Sequence, residues 1–279
     1  MNYELSSMSY FTTADNCRLY YETHGFESHR PAIVFLNGTT QTTVHWRPQV
    51  LRFRGEFRIL LYDGRAQGRS ELGSAALSLE RHGADLSALM DHLGLQRANL
   101  IGLSHGAHVA LELAARHPQR VNGIVLCGLG AEPTARAEAV IRSWLEVVKS
   151  GGVQCLAWAV LPMILGEGFL AGKKRILAKM AAAIAVRNRT ESLAAHLEAM
   201  LAYPPPREPA ATLRLPVLVI SGSQDLLVPS GSARKLADLC RAEYLKFDDC
   251  GHTLPAEAGE RFNRELSRFL TNIAGRDEP

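Results

Sequence analysis

A chain of 279 residues can form one large domain or a domain carrying an insertion. Hydrophobic residues at 47% and charged residues at 21% are the proportions of an ordinary globular protein and exclude disordered and fibrous classes. The formal charge of +3 is too small to signal nucleic-acid binding, which concentrates far more positive charge on one face.

The chain starts "MNYELSSMSYF", without a basic stretch followed by an apolar one, so no secretory signal is expected. Runs at Tyr10 to Thr13 and Arg18 to Thr23, with no helix between them, predict an antiparallel hairpin at a sheet edge. Short apolar runs rich in branched residues then recur at 32–38, 57–64, 98–104, 121–130, 216–225 and 242–251, each ending in Gly or Asp or close to one, as buried strands do. Helical periodicity lies between them. In "SLERHGADLSALMDHLG", Ser78 is a candidate N-cap, Leu86, Leu89, Met90 and Leu93 share a face, and Gly94 follows the end. Strands alternating with helices predict an α/β fold with a mostly parallel sheet covered on both faces, because a parallel crossover needs about a dozen residues.

The alternation stops at Ala131. From there to Ala210 the chain reads as helices only, closed by the stiff linker "YPPPREP". The expected organisation is therefore a core of residues 1–130 and 211–279 with a helical cap, 131–210, inserted between two strands. Ligands of open α/β sheets bind beyond the carboxyl ends of the strands, so an insertion leaving that edge would cover the site. The longest apolar run, "CLAWAVLPMIL", has 11 residues, too few to span a bilayer. Cysteines at 17, 127, 155, 240 and 250 are odd in number and lack C-x-x-C spacing, which predicts a reducing, cytoplasmic compartment.

One stretch carries chemistry. In "NLIGLSHGAHVALELAARHP" a strand runs into Ser104, with Gly102 and Gly106 two residues to either side, and a helix begins. A strand that turns abruptly into a helix strains the turn residue and tolerates only small neighbours; the pattern G-x-S-x-G is the nucleophile elbow. A serine hydroxyl needs an adjacent base, and the base needs a third group to hold its tautomer. Asp225 in "SGSQDLLVP" and His252 in "DDCGHTLPAE" each follow a strand and give the order Ser, Asp, His. Glu132 is the reserve acid, and Cys250 is read as structural because nothing visible activates its thiol.

With these residues the chain resembles the α/β-hydrolase superfamily over essentially its whole length, least in residues 131 to 210. The resemblance implies a mostly parallel eight-stranded sheet, a nucleophile at Ser104, an acid at Asp225 and a base at His252. It also implies an oxyanion hole from the backbone N–H groups of His105 and of Thr39, with Thr40 or Thr42 as alternatives to Thr39. Many relatives carry His-Gly before the oxyanion residue; here the loop reads Asn37-Gly38-Thr39-Thr40, and Asn37 is expected to order it and to border the substrate. The turn D-x-R-G-x-G-x-S appears as "DGRAQGRS", with Ala66 in place of a glycine.

Specificity is expected from the cap, with Trp144, Trp158, Leu161 and Met163 walling a hydrophobic acyl pocket. Between Glu167 and Arg189 six basic residues oppose one acid; Lys173, Lys174 and Arg175 would suit an acidic partner such as acyl carrier protein or coenzyme A. No His or Cys pair has ligand spacing and no phosphate-binding glycine loop occurs, so neither metal nor cofactor is expected. The function expected is hydrolysis of an ester, thioester or lactone through an acyl-enzyme. The alternatives are acyl transfer, given a likeness to bacterial synthases that join hydroxyacyl chains, and a noncatalytic binding role on the same fold.

Overall fold

The computed structural model describes residues 7–275. Residues 1–6, on which the reading of a leader partly rests, lie outside the described residues. Strands form at the branched, apolar runs: β1 (Ser7–Thr12), β2 (Arg18–His24), β3 (Ala32–Leu36), β4 (Arg58–Tyr62), β5 (Ala98–Leu103), β6 (Val121–Cys127), β7 (Val217–Gly222) and β8 (Glu243–Phe247). They build one eight-stranded sheet in the order β1-β2-β4-β3-β5-β6-β7-β8. β1 and β2 pair antiparallel, as do β2 and β4, and every other pairing is parallel.

The helices are α1 (Arg47–Phe53), α2 (Leu79–His92), α3 (His105–Arg116), α4 (Ala135–Ile164), α5 (Glu167–Lys173), α6 (Leu177–Arg187), α7 (Thr190–Met200), α8 (Arg207–Thr212), α9 (Ser230–Cys240), α10 (Leu254–Glu257) and α11 (Gly259–Ala274). Ser78 caps α2 by accepting from the Arg81 N–H at 3.1 Å. Strand residues divide between two layers with period two: Leu100, Ile124 and Leu126 join Leu86, Leu89, Val109 and Leu236 on one face. Ile101, Val125 and Cys127 join Val50, Phe53, Phe262 and Leu266 on the other. Helices thus cover both faces, which is what near-continuous apolar strands require.

Helices α4 to α7 share a third apolar cluster. α8 occupies part of the proline-rich stretch read as linker; Pro206 sits at its N-cap, where a missing N–H costs nothing. By length and composition α4 could cross a membrane, unlike the 11-residue run seen in sequence. Gly152, at φ 67° and ψ −174°, breaks it, so neither half reaches the roughly 20 residues a span needs.

β3 lies between β4 and β5, so the chain leaves β3 toward one side and returns on the other. Sheets of this kind open a crevice at such a reversal, between the loops beyond the strand ends. Leu36 pairs with Gly102, which sets the loop after β3 beside the turn after β5.

Candidate active site

Ser104 stands alone between β5 and α3 at φ 54° and ψ −116°. A side chain in this region costs on the order of 1–3 kcal/mol and persists only where its surroundings impose it. Those surroundings are the two glycines. A Cβ on Gly102 would lie 2.4 Å from the Ala107 nitrogen, and one on Gly106 would lie 2.3 Å from the Leu36 carbonyl oxygen. The Ser104 N–H donates to the Cys127 carbonyl at 2.8 Å, so the sheet itself anchors the turn.

Asp225 occupies the turn beyond β7. Its Oδ1 accepts from the backbone N–H groups of Leu227 and Val228, both at 2.9 Å, and its Oδ2 lies 2.7 Å from His252 Nδ1. A carboxylate only accepts, so Nδ1 carries the proton and Nε2 keeps its lone pair. Nε2 is buried with no hydrogen-bond partner among the described residues. Burial alone would lower the His252 pKa, but the charge of Asp225 and its hydrogen bond outweigh burial and raise it above the usual value. Gly128 makes room for the ring: at φ 59°, a Cβ there would sit 2.8 Å from His252 Cε1.

Ser104 and His252 line the same cavity, together with Thr39, His105 and Trp144. No hydrogen bond yet joins the serine hydroxyl to Nε2, and catalytic contacts of this kind commonly tighten only when substrate binds. Among the described residues, neither the Thr39 nor the His105 backbone N–H meets an acceptor. In a cavity shared by all four residues, the unpaired imidazole can take the hydroxyl proton while the two N–H groups receive a developing oxyanion.

Asn37 does not border the cavity. Its Nδ2 donates to the Tyr62 carbonyl at 2.9 Å and to Asp63 Oδ1 at 3.2 Å, and its Oδ1 accepts from Trp46 Nε1 at 3.0 Å. The amide is consumed in tying the end of β3 to the end of β4, which fixes the loop carrying Thr39. Ala66 takes the left-handed φ of 66° where a glycine would be unstrained. Glu132, the reserve acid, is held by Arg207 at 3.2 Å and Lys235 at 3.0 Å, while Asp225 holds the imidazole.

The cap residues sort differently from the sequence expectation. Trp144 lines the cavity, but Trp158 lies 47% exposed on the outer surface, and Leu161 and Met163 pack in the cap's own cluster. The bend at Gly152 sets the two halves of α4 at different angles, so one helical stripe cannot serve the pocket throughout. Further apolar wall comes from Leu129, Ile141, Met200, Leu201, Leu227 and Val228, and Glu132, Glu138 and Tyr203 also border the cavity. Lys173, Lys174 and Arg175 are exposed and border no part of it.

Two groups were invisible in the sequence. Glu257 accepts through Oε2 from Gly166 N–H at 2.8 Å and Gly251 N–H at 2.9 Å, and through Oε1 from the Thr253 N–H and hydroxyl. The His252 N–H donates to Ile164 O at 2.8 Å, so the histidine loop and the end of α4 are laced together. The second group is His82, His105 and His196, three buried imidazoles that come together from three helices. No short spacing could reveal that cluster, because its members are far apart in the chain.

Sheet order, elbow and the three convergent side chains define the class: the chain belongs to the alpha/beta hydrolase family, whose model matches residues 33–265. It is a hydrolase of that fold. Among relatives, a Caulobacter sp. (strain K31) protein named "Putative carbamate hydrolase RutD" is 29% identical, covering 92% of this chain and 97% of its own. The 3-oxoadipate enol-lactonase 2 of Acinetobacter baylyi is 27% identical over 92% of this chain and 95% of its own. The crystal structure of an enol-lactonase from Burkholderia xenovorans LB400 superimposes with a TM-score of 0.87 at 30% identity, covering 94% of this chain and 100% of that one.

Proposed function

We propose that the protein cleaves a carboxylic ester, thioester or lactone with an apolar acyl portion, through an acyl-enzyme on Ser104. The observation that carries this reading is the His252 imidazole, fixed by Asp225 at 2.7 Å with Nε2 unpaired, on the wall that Ser104 shares.

The Ser104 hydroxyl attacks the acyl carbon while its proton passes to His252 Nε2, and the carbonyl electrons move to oxygen. The N–H groups of Thr39 and His105 bind that oxyanion, and losing one such donor typically costs on the order of a hundredfold in rate. His252 returns the proton to the leaving oxygen or sulfur. Water then repeats the cycle on the acyl-enzyme and releases the acid. Apolar walls at Ile141, Trp144, Leu201 and Leu227 support an apolar acyl group. The enol-lactonase relatives support inclusion of a cyclic ester among the substrates.

The test is to react the protein with a fluorophosphonate, locate the adduct by mass, and compare turnover of aryl esters of increasing acyl length, matched thioesters and lactones. One adduct on Ser104 and turnover abolished in Ser104→Ala are expected. Labelling at another residue, or undiminished turnover in Ser104→Ala, refutes the reading.

A further inference from the structure

The three histidines behind the elbow form a cluster that the proposed reaction does not use. His82 comes from α2, His105 from α3 and His196 from α7. All are buried, and one ring nitrogen from each lies within 4.8 Å of the others. The ring centres of His105 and His196 are 4.3 Å apart, those of His82 and His105 4.7 Å, and those of His82 and His196 6.0 Å. Each pair of rings is steeply inclined, at 72°, 77° and 67° in the same order. A tetrahedral ion with Zn–N bonds of about 2.0 Å places imidazole centres about 3 Å from the metal and so about 5 Å from one another. The observed separations, 4.3 to 6.0 Å, bracket that value, and one nitrogen of each ring already lies within 4.8 Å of the others.

The hydrogen bonding points the same way. His82 Nε2, His105 Nδ1 and both ring nitrogens of His196 are buried without a partner among the described residues. Buried polar atoms are nearly always satisfied, so four unpaired nitrogens in one place call for a shared partner. A lone-pair acceptor common to all three rings satisfies one nitrogen of each, three of the four, and leaves His196 its one N–H.

We propose that His82, His105 and His196 form a binding site for a divalent transition-metal ion of the Zn2+ type. Three imidazoles without thiolate or carboxylate favour Zn2+, Co2+, Ni2+ or Cu2+ over Mg2+ or Ca2+. Burial pushes the pKa of His82 down to about 3 and that of His196 to about 4, and holds His105 well below its usual value. The rings are therefore neutral and present lone pairs at neutral pH, so binding displaces no proton from them. Three imidazoles leave the fourth position of a tetrahedral ion to a water or hydroxide, and a hydroxide offsets part of the buried charge. Such an ion clamps α7 of the inserted segment onto α2 and α3. It also fixes the ring of the residue that follows Ser104.

The full-length protein, stripped with a chelator and desalted, is loaded with Zn2+ or, in a separate arm, Co2+, then desalted again for metal analysis by mass spectrometry. Retention of about one equivalent is expected, with a visible Co2+ absorption of tetrahedral type. The Tm should rise by about 5 °C when free metal exceeds Kd about a hundredfold. His82→Ala and His196→Ala should each lower retention about tenfold or more, while His29→Ala, at an exposed position, leaves it unchanged. Far-ultraviolet circular dichroism confirms that the variants fold. Retention far below one equivalent by the wild-type protein overturns the proposal without reference to any variant. Full retention by a folded His82→Ala/His196→Ala protein overturns it by placing the ion elsewhere.

Discussion

The 2.7 Å bond from His252 Nδ1 to Asp225 Oδ2 decides which ring nitrogen is left to accept a proton. His252 must be neutral to act as base, and its pKa is raised, so kcat/KM should climb with pH through an apparent pKa above the ordinary value of 6.5 and then level. Asp225→Asn removes the two largest raising influences and leaves burial, which lowers, against the smaller raising charge of Glu257. The acid limb of the profile should therefore move to lower pH while kcat falls on the order of 10,000-fold. A limb that stays in place would mean that another group holds the imidazole. For stability the sign is opposite in direction: the pair contributes fully below the unfolded pKa near 6.5 and the contribution is lost as pH rises through the folded pKa.

Ser104 holds a positive φ that glycine adopts without strain. Ser104→Gly should unfold at higher urea concentration than Ser104→Ala, by about 1 kcal/mol, although both lack the hydroxyl. Equal stabilities would show that the turn is relaxed.

Gly128→Ala combines a φ of 59° with a methyl 2.8 Å from His252 Cε1. Displacing the ring by about 1 Å should cost on the order of 100-fold in kcat, with KM much less affected. Intact kcat in a folded variant would show that the imidazole tolerates movement.

Arg65 is fully buried between two acids, bonded at two points to Asp85 and at two to Asp15. Arg65→Ala should destabilise by about 3–5 kcal/mol in urea titration, because it strands the buried Asp85 carboxylate. The Arg65 guanidinium holds Asp15 far below the usual carboxylate range, so this pair contributes above pH 4 and is lost as pH falls further. The variant should accordingly show a shallower loss of stability in acid than the wild type.

The exposed turn at Lys173, Lys174 and Arg175 is proposed as a dock for an acidic acyl carrier, either acyl carrier protein or coenzyme A. Lys173→Glu with Lys174→Glu should raise KM for carrier-bound acyl chains and leave small aryl esters unaffected. Equal effects on both substrate types would remove the dock.

Local constraints made much of this molecule readable. The elbow is written within five residues, because a strained turn leaves no freedom at Gly102 and Gly106. Asp225 and His252 were legible because each follows a strand end, and parallel pairing brings strand ends to one edge. The pocket was not legible: which side of α4 faces inward depends on the bend at Gly152, and Met200 and Leu201 reach the cavity from a segment whose periodicity marked it only as helical. Asn37 misled because it stands at the head of the loop carrying Thr39 while its hydrogen bonds point into the core. The histidine cluster was hidden for a plain reason: sequence shows neighbours along the chain, and its members become neighbours only after three helices pack.

The carbonyl of Ile164 accepts from the N–H groups of both His252 and Thr253, at 2.8 and 3.3 Å. The end of the first cap helix is therefore a fixed pivot, and any swing of the roof must start elsewhere along the inserted segment. Chimaeras that graft a relative's roof onto this core should keep residues 164–166 from the recipient. The demanding position is Gly166, where a Cβ would lie 2.9 Å from the nitrogen of Gly251, the residue before the imidazole.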